Sequence, residues 1–141
     1  MKRILSMVAV VLVVFAGAAF ANEKAAEKAA PKHITLEDLK ALKDAKKDFV
    51  LIDSRGGKYF DGEMIEGAVN LPVDKTTAES LAKIAPKKDT PLVFYCTDTA
   101  CNASELAAYK ALAAGYTNVS KVPDGIEGWK KKGWATTKPK N

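Results

Sequence analysis

Two short apolar runs constrain this chain most: FVLID at 49–53 and TPLVFY at 90–95. Neither alternates apolar with polar residues. A continuous run of branched and aromatic residues suits a strand buried on both faces, because a strand with one wet face shows a polar residue at every second position. Helical patterns stand between and around these runs. Thr35 reads as an N-cap, Asp38 holds the place of a capping-box partner, and Leu36, Leu39 and Leu42 keep helical spacing up to the lysine-rich stretch near residue 46. GAVNLP at 67–72 contains a second short strand, and residues 77–84 read as a helix. Residues 103–114 read as a longer helix with Gly115 as its C′ residue. NVSKV at 118–122 is a further strand, and GIEGWKKKGW at 125–134 a short helix bordered by glycines. Strands alternating with helices predict an α/β domain on a mainly parallel sheet.

The N-terminus has a different character. Lys2 and Arg3 precede an almost wholly apolar stretch at 7–20, and Ala19-Phe20-Ala21 is a small-x-small pattern followed by polar residues. That is the layout of a secretory signal peptide over residues 1–21, with cleavage after Ala21, export to the periplasm and no lasting membrane insertion as the expectations. The apolar stretch is short for a membrane anchor. Cleavage leaves 120 of the 141 residues and, with Lys2 and Arg3 gone, lowers the net charge from +5 to +3. So small an excess, spread through a lysine-rich chain without clusters of Arg and aromatics, argues against a nucleic-acid partner. Residues 22–32 are Ala/Lys/Glu repeats ending near Pro31, read as a flexible tether. The domain proper is placed at 33–136, with a tail at 137–141, and a monomer is expected.

Both cysteines lie in FYCTDTACNASELAAY, residues 94–109. Cys96 directly follows the strongest strand and precedes a helix. Ligands gather at the carboxyl ends of parallel strands, and the N–H groups and dipole at a helix start favour an anion and so a thiolate. Two cysteines and the single distant His33 do not make a zinc site, and the reading calls for no metal or organic cofactor. His33 stands ahead of the first helix and is no base for Cys96.

Four stretches, in order, resemble the rhodanese family of sulfurtransferases over residues 33–136. LIDSR at 51–55 is similar to the family's Asp-x-Arg opening, and GAVNLP to its Gly-Ala-x-Asn-x-Pro segment. VFYCTDTACNASELAAYKALAAGYTNV at 93–119 resembles the active-site strand, loop and helix, and DGIEGWKKKGW at 124–134 the final Gly-Ile-x-x-Trp helix. The resemblance implies a central parallel sheet with helices on both faces. It implies that Cys96 takes sulfur from a small sulfane donor as a persulfide and yields it to a thiol or other nucleophile. It also implies a loop whose amides cradle the anion, here Thr97, Asp98, Thr99, Ala100, Asn102, Ala103 and Ser104.

The chain departs from the family in places. Glu63-Met64-Ile65-Glu66 replaces the usual Gly-His-Ile-Pro, and Asp124-Gly125 replaces a glycine pair. In the loop the sixth position, often Arg, is Cys101, and the family's Ser matches Ser104 only if two residues are added. No Lys or Arg lies between Cys96 and Ser104, and Asp98 adds a negative charge. Thiosulfate, a dianion, therefore becomes a doubtful donor. A phosphatase needs a loop Arg to clamp phosphate, and Asn102 stands where it would fall.

Cys101 is open to three readings: disulfide partner, resolving thiol or spacer. A disulfide across so short a loop removes little chain entropy, which favours a redox or resolving role. Asp53 and Arg55 are read first as a structural ion pair, with Arg55 as a second-choice anion ligand. Trp129 and Trp134 are read as packing of the last helix. Beside sulfur transfer stand two rivals: a thiol–disulfide redox protein using Cys96 and Cys101, and an inactive binding module.

Overall fold

The computed structural model describes residues 29–138. The signal peptide read at 1–21, the first part of the tether and the end of the tail lie outside them. Seven strands and four helices follow in order: β1 (Lys32–His33), α1 (Leu36–Asp44), β2 (Val50–Asp53), β3 (Met64–Ile65), β4 (Val69–Asn70), α2 (Ala78–Ile84), β5 (Leu92–Tyr95), α3 (Ala103–Ala113), β6 (Val119–Val122), α4 (Gly125–Lys131) and β7 (Thr136–Thr137). A 3-10 turn at Gly57–Tyr59 follows β2. Five strands form one sheet in the order β1-β6-β5-β2-β4, every neighbouring pair parallel. β3 and β7 pair antiparallel in a small second sheet.

Local signals set the helix ends. Thr35 and Asp38 close a full capping box: the Thr35 N–H donates to the Asp38 carboxylate at 2.9 Å, and the Asp38 N–H donates to the Thr35 hydroxyl at 3.0 Å. Thr77 and Ser80 do the same for α2. Gly115 ends α3 at φ +93°, a left-handed value that costs a glycine nothing.

The continuous apolar runs are buried on both faces because alternate residues meet different helices. Ile52, Leu92, Phe94 and Val119 pack with Leu81 of α2 and Ala107, Ala108 and Ala111 of α3. Leu51, Val93, Tyr95 and Val122 pack on the other face with Leu36 and Leu39 of α1 and Ile126 and Trp129 of α4. Each large side chain so buried contributes about 1.5–3 kcal/mol. The alanines of α3 let that helix sit close on the sheet. Trp129 is buried and donates its indole N–H to Ala135 O at 3.0 Å, and its ring meets Trp134 edge-on. The packing role read for both tryptophans holds.

Three strands, β1, β3 and β7, depart from the expectation. β1 takes Lys32 from the stretch read as tether and adds His33, pairing them with Ser120 and Lys121. β7 takes Thr137 from the stretch read as tail and, with Thr136, pairs with β3. All are two-residue strands, too short to show a period, and pairing alone creates them.

Candidate active site

Asp53 pairs with Tyr95 in parallel register, so the carboxyl ends of β2 and β5 lie side by side. The residues that follow, Ser54–Gly57 on one side and Cys96–Ala103 on the other, wall most of a cleft of about 630 Å³. Ligand sites of open α/β sheets occupy this position.

Cys96 is buried and bonded to Cys101 in a disulfide, with Cα atoms 6.2 Å apart. Thr97 Oγ1 lies 4.0 Å from Cys96 Sγ. The loop between the cysteines is turned by Asp98. Its carbonyl accepts from the Cys101 N–H at 3.2 Å and its carboxylate from the Ala100 N–H at 3.0 Å. Helix α4 grips the other side of the loop. The N–H groups of Ile126 and Glu127 donate to Cys96 O and Thr97 O, both at 3.0 Å. In a trans peptide the N–H opposes the C=O, so the amides of Thr97 and Asp98 point away from α4. No residue of α4 lines the cleft. Gly125 permits this approach: its φ is +59°, and a Cβ there would stand 2.5 Å from the oxygens of Cys96 and Thr97. Helix α3 starts directly after the loop. Asn102 at its N-cap makes no side-chain cap bond, so the first-turn N–H groups and the positive helix end are left to favour a thiolate or anion.

The opposite wall carries Arg55, the one cation among the lining residues. Its guanidinium is fully occupied. Nε and Nη2 donate to the Asp53 carboxylate at 3.0 and 2.8 Å, Nη2 also to Glu63 O, and Nη1 to Tyr59 O at 3.5 Å and Asp61 at 3.4 Å. Those bonds use all five donors of the side chain. Burial works against the Arg55 charge, but the hydrogen bonds and charge of Asp53 outweigh it, and its pKa is raised. Asn70 adds bonds to the carbonyls of Asp53 and Arg55 at 3.2 and 2.9 Å. Asp53 and Arg55 form a buried ion pair at the start of the loop that follows β2. Between the walls Ser54 is fully buried, and its Oγ meets no hydrogen-bond partner, alone among buried side-chain nitrogens and oxygens of the described residues.

A family model described as the rhodanese-like domain matches residues 35–132. The chain belongs to the rhodanese-like family. It is 27% identical over 103 residues to the adenylyltransferase and sulfurtransferase UBA4 of Meyerozyma guilliermondii, covering 70% of this chain but only 23% of that protein. Two solved structures share the fold at 22% identity. They are the BH2092 protein of Bacillus halodurans (TM-score 0.67, 82% of each chain) and the thiosulfate sulfurtransferase of Pseudomonas aeruginosa (TM-score 0.68, 79% of this chain, 21% of that one).

Within this rhodanese-like domain, Cys96, Thr97, Asp98, Ala100, Cys101, Asn102, Ala103 and Arg55 line the cleft. Thr99, Ser104 and Asp53 do not. Thr99 is exposed at the loop turn, Ser104 is buried in the first turn of α3, and Asp53 is covered by Arg55. Sequence reasoning missed Ser54, Tyr59, Val73 and Asp74. Val73 and Asp74 follow the GAVNLP segment, and the β2–β4 register brings them to the cleft; Lys110 of α3 donates to Val73 O at 2.6 Å. With Arg55 offset by Asp53, the charges left on the cleft wall are the carboxylates of Asp74 and Asp98.

Proposed function

We propose that this protein is a sulfurtransferase that carries sulfane sulfur on Cys96. The observation that supports this best is the place of Cys96: at the end of β5, on the cleft, beside the uncapped start of α3, with its backbone held by α4. In the first half-reaction the Cys96 thiolate attacks the outer sulfur of a donor R–S–SH. The donor S–S bond breaks, R–S⁻ leaves, and Cys96 becomes a persulfide. In the second, an acceptor thiolate attacks the outer sulfur, takes it as R′–S–SH, and returns Cys96 as thiolate. Cys101 has a side route. Its thiolate attacks Cys96 Sγ, expels hydrosulfide, and forms the disulfide; a thiol reductant, itself oxidised, then reopens it. The chemistry uses protein groups alone. The N-terminal pattern at Ala19–Ala21 supports export, where such a disulfide persists.

Mass spectrometry tests the reading. The reduced protein, treated with polysulfide, is expected to gain about 32 Da, one sulfur atom, on the Cys96 peptide. The disulfide itself supports a second reading, a thiol–disulfide redox protein. Exchange of the Cys96–Cys101 bond with dithiols, with no sulfur adduct from any donor, would favour that reading instead.

A further inference from the structure

Buried hydroxyls almost always find a partner, because an unpaired one has lost its hydrogen bonds to water and gained none in return. Ser54 is the exception among the described residues, and its place is informative. Its N–H donates to Tyr95 O at 2.9 Å, which carries the β2–β5 register one step past Asp53–Tyr95. Ser54 is therefore the cross-strand neighbour of Cys96. Side chains at matched positions of parallel neighbours project from the same face of the sheet, and both residues line the cleft. No side chain of the cleft bonds this hydroxyl in the oxidised form, and two of the charged ones are committed elsewhere. Arg55 has no donor to spare and needs acceptors of its own, and the Asp98 carboxylate is turned to the Ala100 N–H.

While Cys96 Sγ is bonded to Cys101, it is held toward the loop and carries no charge. Reduction by a dithiol, which is itself oxidised to a disulfide, leaves two thiols. Cys96 Sγ is then free to rotate about its Cα–Cβ bond and, once ionised, is a strong acceptor. A hydrogen bond to a charged group is worth more than one between neutral groups.

We propose that Ser54 is a further catalytic residue of this site, donating its hydroxyl hydrogen to the reduced sulfur of Cys96, first as thiolate and then as persulfide. The proposal rests on the reading of Cys96 as the reactive thiol. It makes Ser54 a group that the oxidised form leaves unpaired and the reduced form satisfies.

The test uses the full chain in a Cys101→Ser background, where Cys96 is the only thiol. The rate of alkylation by iodoacetamide, followed against pH, reads the thiol pKa. Adding Ser54→Ala is expected to move the inflexion up by about one unit, the equivalent of one such hydrogen bond. Ser54→Thr keeps the hydroxyl and is expected to stay near the parent value. In the oxidised protein with both cysteines, Ser54→Ala is expected to unfold no lower than the parent, because no protein hydrogen bond is lost. An unmoved inflexion in Ser54→Ala overturns the proposal. So does a clear fall in the unfolding temperature of the oxidised variant, which would show that the hydroxyl is a bonded part of the fold. The two readings fail separately. A Ser54 effect without any sulfur adduct on Cys96 sinks sulfur transfer alone, and an adduct without a Ser54 effect sinks this inference alone.

Discussion

The two long walls of the cleft begin in the same way and end in opposite conditions. Each is a loop leaving the carboxyl end of one of two neighbouring parallel strands, β2 or β5. The β2 loop is closed on itself. Arg55, buried to 3% exposure, satisfies all five donors on Asp53, Asp61 and two carbonyls. The β5 loop is held through its backbone, by α4 and by the carbonyl and carboxylate of Asp98, and leaves its thiol chemistry and helix start open to the cleft. The difference separates support from reactivity. A cation lining a cleft is not automatically a ligand for what enters it; here the fold has already occupied all five donors of Arg55. What remains around the cleft is a set of uncharged amides and two carboxylates, Asp98 in the β5 loop and Asp74 after β4.

The sharpest break in this comparison is at Cys96. Cys96→Ser is expected to abolish sulfur transfer, while Cys101→Ser keeps the first half-reaction and lets the persulfide accumulate, both read by mass and by sulfide release. Equal loss in the two variants would mean that the cysteines do not divide the work. Next comes the closed wall. Arg55→Ala strands the buried Asp53 carboxylate and should cost about 3–5 kcal/mol of stability in denaturant unfolding. A stable Arg55→Ala whose only defect is a raised KM for anionic donors would instead make Arg55 a ligand. Gly125→Ala should cost at least about 1–2 kcal/mol, from the left-handed backbone alone. Its added Cβ should also push the Cys96 loop from α4, which amide exchange at Ile126 and Glu127 reports. Unchanged protection there would show that α4 does not hold the loop. The smallest effect is expected at Asp98→Asn. The amide oxygen can still accept from the Ala100 N–H, so the change isolates the charge. Thiosulfate use should improve several-fold at low salt, as for removing about 1 kcal/mol of repulsion, and the gain should fade as salt rises. No change at low salt would mean that the carboxylate does not act on the donor.

The mainly parallel sheet, the helices and the place of the cysteine loop between β5 and α3 are legible in the sequence, because each carries a local signal. FVLID and TPLVFY lack the polar alternation of a half-wet strand, Thr35 and Asp38 form the expected box, and Cys96 sits directly where a strand gives way to a helix. Of the two-residue strands, β4 falls inside GAVNLP, whereas β1, β3 and β7 are not legible. Lys32, His33, Thr136 and Thr137 have exposed or half-exposed side chains and no period, so only pairing with distant partners makes them strands. The cleft is legible by half. Its cysteine wall is contiguous in sequence, whereas Asp74 reaches it through the β2–β4 register and Ser54 through the β2–β5 register. By itself the sequence determined which residue types are on hand: a thiol at a strand end, a second thiol five residues on, and no cation between. Only the tertiary structure decided which of them are free to act. Whether a guanidinium is occupied and a hydroxyl left unpaired depends on acceptors brought from elsewhere in the chain, such as Glu63 O, which lies eight residues from Arg55.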